Sequence, residues 1–598
     1  MGEEYLTIKL TLTQLDDVNT GEIEKARFRA RIEQSPLGAS TGVGWDFKPS
    51  PEDWAYIDEF ISYMPLRNHF KKQDVVRLGE KIFAWIFKDK VLEKYNQCLG
   101  RLTEDVRLRL AIAILSEHLV KIPWEFLHDG NGFLLQSGHL IVRIIDELGE
   151  KKAPFSPIKR LLVAIANPGK NDPDNASFSS FDAQTHEQKI VESLKNTGIE
   201  YEILNPCIRR DFKDKITGAN FDALYFAGHG VFTPDLEGQL ILEDDKNNED
   251  YLEATELAEW LRDSNDNVTT RIRFAYLNSC STARNDSLNT FAGVAQRLML
   301  NGGVNAVVAM QSDIEQTAGF DIAAGFFEEM QLEGGRSPEQ ALALARASGG
   351  DQHSWGVPAM YTYLSGPEDF EKNRLAYFMN AELGKSSYGL FLPTFILGEL
   401  FEEAAKKSRS KPTSLYRYSG ETLSLKDMES GLDVIRLLSR IVPSDEIKLR
   451  RSNDQGESQY SHWFIFGSRS NKVVESVLGG KDYVPRFAFD YTSEPGKWTL
   501  TDKKLNKVHS IDNPHQSPKD EYDKKDDIGV IEKIVSEKRG RVFFLLSGLG
   551  DRATRGCGWY LYQNWELLLG EFGNTPFGIV LRFPGGFGFN DTERLDTP

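Results

Sequence analysis

DALYFAGHG, residues 222–230, begins as an apolar run and ends in a histidine set between two glycines. Apolar residues without alternation suit a strand covered on both faces. A core histidine needs no glycine on either side. A reactive one does, because small neighbours keep the ring's surroundings open and let other backbone approach. The stretch therefore predicts a buried strand over 222–228 that delivers His229 at its C-terminal end. A second stretch, IRFAYLNSCSTA (272–283), is likewise apolar before it ends in Asn-Ser-Cys. In a parallel sheet the C-terminal ends of strands share one edge, where reactive groups gather. If these two strands are neighbours, His229 and Cys280 emerge side by side at that edge.

The surrounding chain supports such a sheet. From KRLLVAIANP (159–168) onward the rhythm is strand, helix, strand, with strands expected at 160–166, 200–204, 222–228, 272–278 and 304–310. Helices are expected near 185–197, 289–301, 315–332 and 337–347. Alternating strands and helices imply a mostly parallel α/β sheet. Upstream, YLTIKLTL alternates as a half-buried strand should. VRLRLAIAIL (106–115) and HLIVRII (139–145) read as further strands around the turn-bearing IPWEFLHDGNGFLL.

After YTYLSG (361–366) a helical connector is expected, and KKSRSKPTSLYRYSG (406–420), rich in basic residues, Ser and Pro, reads as an interdomain boundary. A second α/β unit follows, with a helix in SLKDMESGLDVIRLLSRIV and strands in HWFIFG, RVFFLLSG and GIVLRFPG. The heavily charged 501–535 reads as surface loop with a short helix. The expected divisions are an N-terminal part at 1–150, a catalytic domain at 155–366, a connector at 367–412 and a C-terminal domain at 413–598.

A chain of 598 residues is too long for one core. Its 40% hydrophobic and 11% aromatic content is that of an ordinary globular protein. Acidic residues outnumber basic ones, 89 to 71, for a net charge of −18, which argues against binding a phosphate backbone. MGEEYLTIKL lacks a cationic start followed by an apolar stretch, and YGLFLPTFILGELF (388–401) contains a proline and is too short to span a bilayer. No membrane or nucleic-acid partner is expected. Cys98, Cys207, Cys280 and Cys557 are scattered without metal-ligand spacing, so no metal or cofactor is expected and the reducing cytoplasm is the expected location. Cys98 and Cys207 read as inert core residues. Cys557, amid RGCGW, has no histidine on a convincing neighbouring strand end.

A cysteine becomes an effective nucleophile near neutral pH when a base or cation favours its thiolate. Taken singly, His229 and Cys280 are each the kind of residue that more often serves structure. Both at strand ends, both among small residues, in one doubly wound pattern, they point to catalysis. The backbone amides of Gly230 and Cys280 are the expected donors to an oxyanion.

His229-Gly230 and NSCSTA (278–283) resemble the caspase-like clan of cysteine proteases and, within it, the CHAT family, the relatives of separase. The resemblance extends over roughly 100–366. It includes the Pro-Trp-Glu turn of 107–145, GQLILEDD (238–245) with YLEATELAEWL after it, and the stretch from FAGVAQRLML to ALALARA (291–347). It implies a thiol protease with His229 as general base and Cys280 as nucleophile, a caspase-like sheet flanked by helices, and a degenerate, non-catalytic partner subdomain from the early strands. One departure stands out: Met310-Gln311 occupies the place of a Trp-Pro pair found in many members, so altered pocket walls are expected.

In separase-like relatives an acidic residue near Asp313 faces the residue before the cut and favours Arg or Lys, which a carboxylate selects by bidentate hydrogen bonding. Asp313 reads equally well as a helix N-cap. Asp244 and Asp245 read as a solvated turn, with cleft-shaping or calcium binding as the alternative. In the C-terminal unit, FIFGSRSNKVVES (464–476) and FFLLSGLGDRATRGCGWYL (543–561) both run strand, polar glycine-bearing turn, helix. Such turns can cradle an anion, which makes Ser468, Arg469, Asn471 and Arg552 candidate ligand contacts. Ordinary strand-to-helix turns are the competing reading.

Together these features predict an intracellular cysteine endopeptidase held inactive by its C-terminal domain until a ligand or protein partner binds there. The family resemblance implies a prokaryotic defence or cell-death circuit that also supplies the protein substrate. The alternatives are a catalytically idle scaffold that retains both residues, and a thiol enzyme acting on a small molecule.

Overall fold

The computed structural model describes residues 4–16, 24–37, 43–63, 70–103, 106–145, 158–169, 181–218, 221–232, 238–266, 272–279, 290–312, 314–331, 335–349, 353–363, 366–396, 421–451, 459–467, 486–493, 496–512, 525–536, 540–586 and 588–595. The chain divides into two units, Met1–Glu371 and Lys372–Pro598.

The first unit is built on a thirteen-stranded sheet. Its elements in chain order are β1 (Glu4–Gln14), β2 (Phe28–Gln34), β3 (Val43–Phe47), α1 (Pro51–Tyr63), α2 (Lys72–Ile86), α3 (Asp89–Leu99), β4 (Val106–Leu115), β5 (Leu140–Ile144), β6 (Arg160–Ile165), α4 (Ala183–Leu194), β7 (Glu200–Leu204), α5 (Arg209–Gly218) and β8 (Ala223–Phe232). There follow β9 (Gly238–Glu243), β10 (Glu249–Glu253), α6 (Ala254–Asp266), β11 (Phe274–Ser279), α7 (Thr290–Leu300), β12 (Ala306–Met310), α8 (Gln316–Glu329), α9 (Pro338–Ala345) and β13 (Pro358–Thr362).

The sheet consists of two parallel sets set back to back. Strands β7, β6, β8, β11 and β12 run parallel to one another. Strand β13 reverses against β12 and then runs parallel with β5, β4 and β1. The early strands thus extend the same sheet with the opposite sense, and the expected mostly parallel α/β sheet flanked by helices is the one observed.

Alternation along the central strands divides the core. Tyr225, Ala227, Phe274 and Tyr276 belong to an apolar cluster with Phe320, Phe326 and Phe327 of α8. Leu224, Phe226, Ala275 and Leu277 pack on the other face with Phe212, Leu257 and Leu298, from α5, α6 and α7. Helix α9 begins where it does because Ser337 caps it, with Gln340 reaching back and Pro338 in the first turn.

Strand β8 runs further than the apolar run suggests, to Phe232. Residues 223–227 pair with β6, and 223–228 with β11. From His229 onward β9, antiparallel and in the register His229 to Ile241, takes the place of β6 on the edge of β8 opposite β11. The histidine therefore sits where the strand changes partners. Gly228 is required just before this switch: a Cβ there would stand 2.8 Å from the Phe226 ring and 3.1 Å from the Ala166 carbonyl oxygen.

In the second unit the elements are α10 (Pro367–Met379, which spans the division), β14 (Tyr388–Leu392), β15 (Thr394–Ile396), β16 (Glu421–Leu423), α11 (Leu425–Leu438), β17 (Ile447–Arg451), β18 (His462–Phe466), β19 (Phe487–Asp490), β20 (Lys497–Asp502), β21 (Lys507–Asp512), β22 (Asp527–Ser536), β23 (Arg541–Gly548), α12 (Asp551–Phe572), β24 (Phe577–Phe583) and β25 (Glu593–Arg594). A seven-stranded sheet has the order β17-β14-β18-β23-β22-β24-β25.

Two segments depart from expectation. YGLFL, assigned to a connector, is the fully buried strand β14, and Pro393, with no amide to donate, stops it. Charged 501–535, expected to be loop, contributes the hairpin β20–β21 and the central strand β22. Lys533 of β22 is 1% exposed. Its ammonium donates to the carbonyls of Phe378 and Asn574 and lies 5.3 Å from the Phe378 ring centroid. A charge satisfied in this way is no sign of a surface.

Candidate active site

The candidate site lies at the end of β11 and the point where β8 changes partners. The two strands are parallel, with Asn278 opposite Ala227 and Ser279 opposite Gly228. His229 is 2% exposed and its ring meets that of Phe181 edge to face, 6.0 Å between centroids. Phe181 is itself clamped: its amide donates to Asn167 Oδ1 at 3.1 Å, and Asn167 Nδ2 donates to its carbonyl at 2.8 Å. The Asn167 amide donates in turn to Glu243 Oε1 at 2.9 Å, which ties the end of β6 to β9 beside the histidine. Gly230 is buried and pairs with Leu240.

Beneath these strand ends lies a buried polar group that the strand pattern did not reveal. Asn278 Nδ2 donates to Tyr225 Oη at 2.9 Å and to the Gly319 carbonyl at 3.3 Å. Tyr225 Oη and His186 Nε2 share a hydrogen bond of 2.5 Å. Burial, with Lys189 nearby, holds the His186 imidazole down at about 3, so the ring is neutral. Gly319 permits this packing: a Cβ there would fall 2.9 Å from Ile314 Cγ2 and 3.2 Å from Asn278 Oδ1. The polar tail of FAYLN was the visible signal, but partners 39 to 53 residues away are set by topology.

Further along the edge, Gln311 is 2% exposed. Its amide donates to Glu125 Oε2 at 2.6 Å and to the Gly356 carbonyl at 3.1 Å, and it accepts from Arg143. Arg143 pairs with both oxygens of Glu125 at 3.0 and 2.7 Å. Gln311 was expected to alter the pocket walls; its side chain instead joins the Pro-Trp-Glu turn to the end of β12.

Of the other expected site residues, Cys280, Asp313, Ser468, Arg469 and Asn471 lie outside the described residues. Asp244 closes the β9–β10 turn by accepting from the amides of Lys246 and Asn248 at 2.8 and 2.7 Å. Arg552 is 5% exposed and donates to the carbonyls of Lys525, Pro584 and Gly588. At this turn the helix amides already hold an anion from the protein itself. Asp527 accepts from Gly550 at 3.0 Å and from Ala553 at 2.8 Å. The described thiols of Cys98, Cys207 and Cys557 are free and buried, and burial pushes all three up. Among the described residues no group of His, Cys, Asp and Glu is arranged to hold a metal ion, and no helix is long and apolar enough to cross a membrane.

No curated protein matches the chain. Among solved structures it is similar to the Arg-specific cysteine proteinase gingipain R, at 12% identity over 52% of this chain and 74% of that one, with a TM-score of 0.31. It is also similar to the separase of the Saccharomyces cerevisiae separase–securin complex, at 13% identity over 54% of this chain and 21% of that one, TM-score 0.28. A secreted C11 cysteine protease from Bacteroides thetaiotaomicron is similar at 10% identity over 44% and 85%, TM-score 0.22. Residues 76–361 match the model of the CHAT domain.

Proposed function

We propose that the protein is a cysteine endopeptidase in which His229 is the general base and Cys280 the nucleophile. The observation that carries this reading is the register of β8 and β11. Gly228 and Ser279 stand opposite each other, and the residues that follow them in the sequence are His229 and Cys280. Parity supports it too, because Tyr225, Tyr276 and Asn278 share the face on which His229 meets Phe181.

In this mechanism the imidazole takes the thiol proton, and the thiolate attacks the scissile carbonyl carbon. The amides of Gly230 and Cys280 hold the oxyanion. The protonated imidazole gives its proton to the leaving amine, and water hydrolyses the thioester. Asp313 selects Arg or Lys before the cut. The second unit gates the protease in answer to a ligand or protein partner, within a cytoplasmic defence or cell-death circuit that supplies the substrate.

The test is to incubate wild type, Cys280→Ala and His229→Ala with a peptide library and read the cuts by mass spectrometry. Both variants are expected to lose at least about 10³-fold in rate. Identical products from all three proteins would exclude the dyad and favour an idle scaffold. Cuts after residues other than Arg or Lys would keep the dyad and discard the role of Asp313.

A further inference from the structure

The hydrogen-bonded set His186, Tyr225 and Asn278 lies directly below the proposed dyad and takes no part in the chemistry described above. All three side chains are 0% exposed. Tyr225 is on β8, four residues before His229, and Asn278 is on β11, two residues before Cys280. His186 comes from α4, and Gly319, whose carbonyl accepts from Asn278, from α8. Four elements thus meet at one amide and one hydroxyl. His186 also lies against Phe320 of α8, 3.7 Å between ring centroids.

We propose that Tyr225 and Asn278, held by His186, are positioning residues that lock the ends of β8 and β11 in register and so set His229 against Cys280. This inference rests on the dyad reading. Its physical content is that the Asn278–Tyr225 bond ties β11 to β8 by their side chains one position before the last described pair of their parallel ladder, Ser279 with Gly228. The Asn278–Tyr225 bond is the last described side-chain link between them before the two reactive residues. Preorganisation of this kind raises reactivity by fixing geometry, and small displacements are costly.

Tyr276 supplies an internal control. It lies on β11, on the same face and fully buried, yet its hydroxyl has no hydrogen-bond partner among the described residues. Removing that oxygen changes the same chemistry without opening the clamp.

The experiment measures the rate at which iodoacetamide labels Cys280 in the full chain, from pH 5 to 9, by mass spectrometry of the peptide that contains it. This readout needs no known substrate. Wild type is compared with His229→Ala, Tyr225→Phe, Asn278→Ala and Tyr276→Phe, with thermal melting recorded for each.

Tyr225→Phe is expected to slow labelling about tenfold near pH 6.5, moving its profile toward that of His229→Ala, while Tyr276→Phe overlays wild type. Asn278→Ala opens the clamp from the other strand and serves if Tyr225→Phe melts early. If wild type and His229→Ala differ but the folded clamp variants overlay wild type, the positioning role is overturned and the dyad stands. If wild type and His229→Ala coincide, the dyad fails and this inference falls with it.

Discussion

On the β4–β5 side of the large sheet the buried polar side chains include ion pairs, whereas below the ends of β8 and β11 they are neutral. Arg109 of β4 meets Glu339 of α9 through two bonds of 2.6 and 2.8 Å, with both side chains 0% exposed. Arg143 of β5 is held by Glu125. Beneath His229 the corresponding links run from Asn278 to Tyr225 to a neutral His186. The difference follows from what each region must tolerate. A buried ion pair demands one geometry and punishes departures from it, but its charges also shift the ionisation of nearby groups. Next to the proposed His229–Cys280 dyad, uncharged donors and acceptors would fix position without favouring either protonation state.

The largest effect should come from breaking the ionic side. Glu339→Leu removes the carboxylate from Arg109 and is expected to cost about 3–5 kcal/mol in denaturant unfolding. Adding Arg109→Met should recover most of that loss, since apolar replacement of a whole buried pair is often nearly neutral. A double variant as unstable as the single one would show that the pair is not the unit that matters.

The neutral side predicts a pH dependence. Burial holds His186 at about 3, below its ordinary value, so the unfolded chain takes up the proton first as pH falls. The stability from this residue is complete above about pH 6.5 and is lost as pH drops toward 3. Between pH 7 and 5 the loss amounts to about 2 kcal/mol, and His186→Gln should remove that part of the slope. An unchanged slope in the variant would mean that His186 takes up its proton equally in the folded and unfolded chain.

A smaller effect is expected at Gln311, the neutral bridge on the ionic side. Gln311→Met keeps the volume and deletes its bonds to Glu125, Gly356 and Arg143, for about 1–2 kcal/mol. Because Glu125 keeps both contacts to Arg143, thermal melting should register a modest shift and no more.

Much of the first unit was legible along the chain. RLLVAI, ALYFA, FAYLN and AVVAM are apolar without alternation, and each is a central strand. The second unit was read less well where charge and burial part company. Lys533 and Glu532 made β22 look like surface, although they are 1% and 5% exposed. Conversely, the polar turn before α12 looked like a vacant anion site, but Asp527, more than twenty residues upstream, brings its carboxylate to those amides.

The residues alone determined that a buried apolar strand leads to His229 and another leads to Asn278-Ser279, because local periodicity and glycine placement are properties of short stretches. They also determined the alternating order that makes the sheet parallel. Only the tertiary structure decided that β8 changes partners at His229, that Asn278 finds Tyr225, and that Gln311 turns toward Glu125. Those outcomes depend on hydrogen bonds between residues up to 186 positions apart in the chain. Such partners are chosen by the register and crossing of elements, which no short window of sequence contains.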